Sequence, residues 1–222
     1  MSKILNEVEV RVVSSLVEKQ VTTPEYYPLT LNALTQACNQ KSNREPIVSF
    51  DEPEIVQALE SLREKNLVYV FYGSSSRVPK YKHMMPEVFH LDGQELAVLC
   101  VLMLRGPQTA GELRERANRL AEFTTPGDVE EALKSLMENE SQPLVTKLAR
   151  RQGQKEARYA HMLGGDVVAE NGVDENFVSD SPVKKFGDAE RVAKLESEVE
   201  ALRAEVAELR QRLTDFMKQF DA

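Results

Sequence analysis

At 222 residues, with 41% hydrophobic residues and a net charge of −8, the chain is long enough for one large domain or two small ones with a tail. No apolar run approaches the roughly 18 residues of a membrane span, and MSKILNEVEVRVV lacks the apolar core and cleavage site of a signal peptide, so a cytoplasmic protein without membrane contact is expected. The acid is uneven, because residues 1–90 and 91–165 each carry 10 Lys/Arg against 11 Asp/Glu while residues 166–222 carry 8 against 14.

The first predicted element is a helix after Asn6, with Val10, Val13, Leu16 and Val17 at helical spacing. Pro24 and Pro28 break the chain, and Thr30 caps a short second helix through Leu31, Leu34 and Ala37. The run CNQKSNREP, residues 38–46, then connects to a third helix. That helix starts after Asp51, carries Pro53 in its first turn and places Ile55, Ala58, Leu59 and Leu62 on one face. Residues 67–72, LVYVFY, are strand-like by β-branched and aromatic content, and Arg77 to Met84 returns as a second strand after a Gly-Ser loop.

The same pattern then repeats. Leu5 corresponds to Leu91, Thr30 to Thr109, Leu34 to Leu113, the Ala58-Leu59-x-Ser61-Leu62 run to Ala132-Leu133-x-Ser135-Leu136, and His83-Met84 to His161-Met162. Helix, helix, helix, hairpin is the order of a winged helix-turn-helix. The expected fold is mainly α with small β-hairpins (α+β), as two tandem winged helix-turn-helix domains at 1–88 and 89–164. Cys38 and Cys100 each fall in an apolar helical pattern and are expected as buried free thiols.

Residues 165–188 are polar, carry Gly and Pro without a period, and are expected to be a flexible linker. In residues 189–222, by contrast, Val192, Leu195, Val199, Leu202, Val206, Leu209, Leu213, Phe216 and Phe220 step 3, 4, 3, 4. Valine at a with leucine at d favours a parallel two-stranded coiled coil. The flanking pairs of a parallel homodimer, Arg191 with Glu196, Glu198 with Arg203 and Glu205 with Arg210, are all attractive. A centred antiparallel pairing would set Arg191 on Arg212 and Glu198 on Glu205, and a helix folded back on its own domain is the other use of such a segment.

The stretches TTPEYYPLTLNALTQACNQKSNREP (22–46), VQALESLREKNLV (56–68) and LDGQELAVLCVLMLRGPQTAGELRERA (91–117) resemble the YceH-like family of uncharacterised bacterial cytosolic proteins. The likeness covers roughly residues 5–163. It implies a tandem winged-helix fold and a shape shared with transcription regulators, and it brings no assigned activity or site.

A third helix that enters the major groove needs basic or amide side chains on its exposed face. Here those positions hold Glu52, Glu54, Gln57, Glu60, Arg63, Glu64 and Lys65, and in the second unit Asp128, Glu130, Glu131, Lys134 and Glu138, which opposes phosphate contact. The hairpins are different: Arg77, Lys80 and Lys82 lie on the first, and Lys147, Arg150, Arg151, Lys155 and Arg158 on the second, interleaved with Tyr81 and Tyr159. Such cations suit a nucleic-acid backbone, and they also keep edge strands from pairing. In the 38–46 loop, Lys41 and Arg44 can reach phosphates, and Asn39, Gln40 and Asn43 can bond base edges. The structural alternative is that these amides close turns and caps.

No phosphate loop, G-x-S-x-G, H-E-x-x-H or C-x-x-C is present, so neither an enzyme nor a metal or other cofactor is expected. The repeat explains His83 and His161, which occupy equivalent hairpin ends, better than metal binding does. The leading expectation is a dimeric winged-helix protein that binds DNA through its wings and the 38–46 loop. The alternative is a protein-interaction or scaffold module of the same shape without nucleic-acid contact.

Overall fold

The structure, a computed structural model, describes residues 4–72, 78–150 and 156–165. Contacts group residues 1–171 into one compact unit and residues 172–222 into a second. The second unit, with the whole predicted coiled-coil seam from Val192 to Phe220, lies outside the described residues, as do the predicted linker beyond Gly165 and Arg77, Arg151 and Lys155.

The first repeat runs α1 (Glu7–Thr22), a 3-10 turn (Pro24–Tyr26), β1 (Leu29–Thr30), α2 (Leu31–Cys38), α3 (Glu52–Glu64), β2 (Val68–Phe71) and β3 (Lys80–His83). A short connecting helix, α4 (Met85–Phe89), leads to α5 (Gly93–Arg105), β4 (Gln108–Thr109), α6 (Ala110–Ala117), α7 (Pro126–Met137), β5 (Val145–Lys147) and β6 (Arg158–His161). The described residues thus form an α+β unit of seven α-helices and two three-stranded antiparallel sheets, ordered β1-β3-β2 and β4-β6-β5. No described helix is long and apolar enough to cross a membrane.

The helix starts follow from side chains that replace missing backbone partners. Asn6, Asp51 and Asp92 each accept from the backbone N–H three residues on, and Glu9, Glu54 and Glu95 reach back to the cap. Thr109 caps α6 in the same way with Glu112, and Thr30 caps α2 by accepting the Ala33 N–H alone. The two-residue strands β1 and β4 have no counterpart among the expected elements, in which Thr30 and Thr109 figure only as a helix cap and its equivalent. Each adds a third strand to its hairpin, Leu29 opposite Tyr81 and Gln108 opposite Tyr159.

Helices α1 and α5 pack on each other at the centre of the unit. Residues 9–18 of α1 and 96–104 of α5 are buried on every side, as expected of helices with no solvent face. The Cys100 thiol donates to the Ser14 carbonyl at 3.4 Å across this contact. One cluster of buried apolar side chains runs through both repeats, from Leu16, Leu34 and Leu62 to Leu102, Leu113 and Leu136. Each such leucine contributes about 1.5–3 kcal/mol relative to an exposed one. Cys38 and Cys100 are both buried and free, and burial raises both thiols, Cys38 to about 11.

Candidate nucleic-acid interface

The loop between α2 and α3 is held down along most of its length. Asn39 clasps the residue before the α3 cap, donating through Nδ2 to the Phe50 carbonyl at 2.7 Å and accepting the Phe50 N–H at 2.9 Å. Arg11, from α1, donates to the Cys38 and Pro46 carbonyls at the two ends of the loop. Asn43 adopts a left-handed turn (φ 58°), which asparagine tolerates, and accepts from Arg105 Nη1 at 3.1 Å. The Glu45 N–H donates to the Leu104 carbonyl at 2.9 Å. The loop therefore anchors α2 and α3 to the end of α5 in the other repeat.

Arg44 is the deepest member. It is only 6% exposed, and its guanidinium sits 2.5 Å from Glu18 Oε2 and 2.9 Å from the Ala37 carbonyl. Arg119, from the second repeat, grips the other carboxylate oxygen of Glu18. Burial by itself would raise the Glu18 carboxyl, but the two guanidiniums hold it below its ordinary value. Arg44 is thus removed from phosphate contact: its charge is spent inside the fold. Of the loop's five candidates, Asn39, Gln40, Asn43 and Arg44 are engaged internally, Gln40 accepting from Lys19 and Arg44, and Lys41 is the exposed one.

On the hairpins the cations stay near the surface. Lys80 and Lys82 lie on β3, Lys82 with a loose 3.9 Å approach to Glu87. On the second hairpin, Lys147 sits over the Tyr159 ring at 5.7 Å, and Lys147, Arg150 and Arg114 line an open cleft of about 430 Å³ together with Glu130 and Glu156. Arg158 is partly committed, donating to the Pro107 carbonyl at 2.8 Å and lying 3.4 Å from Glu112. The third helices present Glu52, Glu54, Glu60 and Glu64 on α3 and Glu130 and Glu131 on α7 to solvent. Charge is therefore biased, with cations predominating on the hairpins and exposed carboxylates outnumbering Arg63 and Lys134 on the third helices.

A family model described as "Protein of unknown function, DUF480" matches residues 5–154. The chain belongs to the DUF480 family. A UPF0502 protein of Pelobacter propionicus is 50% identical over 222 residues, covering all of both chains, and one of Geotalea uraniireducens is 49% identical over 221 residues, again covering all of both. A third, from Opitutus terrae, is 50% identical over 200 residues, 90% of this chain and 84% of its own. Membership of DUF480 carries no reaction with it, so the chemistry must come from the surface.

Two further features of this DUF480 chain bear on that surface. His83 is buried, its Nε2 paired with Gln20 and its backbone N–H donating to the Tyr27 hydroxyl at 2.8 Å, and among the described residues no cluster of His, Cys, Asp or Glu is arranged to hold a metal ion. The other feature is aromatic. Tyr69 and Phe71 of β2 are 61% and 46% exposed, beside Lys80 and Lys82, and the sequence reading used them only as strand formers. Their alternation with buried Val68 and half-buried Val70 in VYVF was the available clue to an outward face.

Proposed function

We propose that this chain is a non-enzymatic DNA-binding protein of two winged helix-turn-helix units, 1–88 and 89–164, paired as a homodimer by a parallel coiled coil in residues 189–222. The twice-repeated order of three helices and a hairpin supports the winged-helix reading, and with it the resemblance to transcription regulators. The observation that carries the DNA reading is the bias of charge, with Lys80, Lys82, Lys147 and Arg150 on the hairpins and exposed carboxylates outnumbering cations on the third helices. Such a molecule meets the phosphate backbone with its wings and keeps its third helices out of the major groove.

The test is fluorescence anisotropy of the full chain against a mixed-sequence duplex at about 50 and about 200 mM salt. Salt-sensitive binding is expected, with Lys147→Gln/Arg150→Gln lowering affinity and reducing the salt slope by about two. No binding at the lower salt would remove this reading. The acidic third helices would then favour the second one, a winged-helix module that docks a basic protein partner through α3 or α7.

A further inference from the structure

The outward face of the first sheet is a small grid of rings and cations. In the antiparallel register Tyr69 lies opposite Lys82 and Phe71 opposite Lys80, so these four side chains share one face. The other face carries Val68 and His83, both buried against the core. Thr30 of β1 lies beside Lys80 on the outward side, and its hydroxyl is engaged in capping α2. The second sheet lacks this arrangement. Val145 pairs with His161 there as Val68 pairs with His83, which puts Thr146 and Ala160 where the first sheet has Tyr69 and Lys82.

We propose that this face binds an unpaired DNA strand, with bases stacked on Tyr69 and Phe71 and the phosphate backbone on Lys80 and Lys82. This rests on the DNA-binding reading above and names the form of DNA that the first wing takes. Spacing favours the single strand. Rings two residues apart on a strand lie ~6.7 Å apart, whereas neighbouring bases in a duplex are stacked at ~3.4 Å. Only an unpaired strand can open its stack to seat one base on each ring. Charge sets its lie. The groove beyond the β2 edge is lined by Glu60 and Glu64 as well as Arg63, so carboxylates repel a backbone there. The lysines on β3, the central strand, attract it, so bases lie over β2 and phosphates over β3.

The experiment uses the full chain and labelled oligothymidine of about 20 nucleotides, with a duplex and an oligouridine of the same length. The chain has six tyrosines and no tryptophan, so tyrosine quenching gives a second readout. Oligothymidine should bind more tightly than the duplex and quench tyrosine emission. Tyr69→Ala/Phe71→Ala should weaken it by about tenfold or more and leave duplex affinity unchanged. Tyr69→Phe, which keeps the ring, should bind as the parent does. Both aromatics are exposed, so the variants should keep the parent's melting curve by circular dichroism. Parental affinity for oligothymidine in the double variant overturns the proposal, as does duplex binding equal to or tighter than single-strand binding, or tighter binding of oligouridine. If oligothymidine fails while duplex binding still depends on Lys147 and Arg150, the stacking face falls and the wing reading stands. If neither binds at low salt, both fall.

Discussion

Replacing Glu18 would strand a guanidinium that has no access to water, since the Arg44 side chain is fully buried and its ion-pair partner is this carboxylate. A buried charge that loses its partner costs about 3–5 kcal/mol. Glu18→Gln is therefore expected to lower unfolding free energy by about 3 kcal/mol or more in urea denaturation. Arg119→Met, whose side chain is 37% exposed, should cost about 1 kcal/mol or less. Equal costs for the two would show that Arg44 is not the member that needs Glu18. Acid should act in the same direction through His83. Burial lowers its pKa from 6.5 to about 4, so the unfolded chain binds a proton near pH 6.5 that the folded chain refuses. Stability is then complete above the unfolded value and declines as pH falls through this window, by at most about 3 kcal/mol for this group. His161, lowered to about 4 by burial, adds to the decline, and Glu18 adds to it only below its ordinary carboxyl range. Thermal melts should show a falling Tm from about pH 7 to about pH 5, with a shallower fall in His83→Gln. A flat profile would contradict a neutral, buried His83.

At the scale of elements, what could be read from sequence was what is local. The starts of α1, α2 and α3 rest on Asn6, Thr30 and Asp51 and a period of buried residues a few positions away, and all three match. Both hairpins also match, with β2 and β3 shorter than the runs 67–72 and 77–84. The strands β1 and β4 escaped because two residues carry no period and their partners are about fifty residues distant, as with Leu29 and Tyr81. The 38–46 loop was visible as polar, but composition cannot say whom an amide or guanidinium meets. Arg44 finds Glu18 and Asn43 finds Arg105, on helices outside the loop, and only the folded chain brings them together. The aromatic face was hidden for a related reason. Which of Tyr69 and Val70 faces outward depends on where α1 and α3 pack, and the neighbouring lysines depend on register with β3.

For the whole molecule, the excess acid lies in residues 166–222, so residues 1–165 can approach a polyanion with little net repulsion of their own. A parallel pairing of residues 189–222 would place two copies of that unit on one strand or one pseudo-palindromic site. The second contact then becomes intramolecular and affinity rises without new contacts. Length dependence tests this. Deleting residues 189–222 should convert a dimer to a monomer in sedimentation velocity. On oligothymidine short enough for one stacking face, the deletion should leave affinity per chain unchanged. On strands long enough for two faces it should weaken binding by about a hundredfold or more. Loss of affinity at both lengths would mean that the tail itself touches the nucleic acid. A deleted chain that still sediments as a dimer would move the interface out of the Val192 to Phe220 seam and onto residues 1–165.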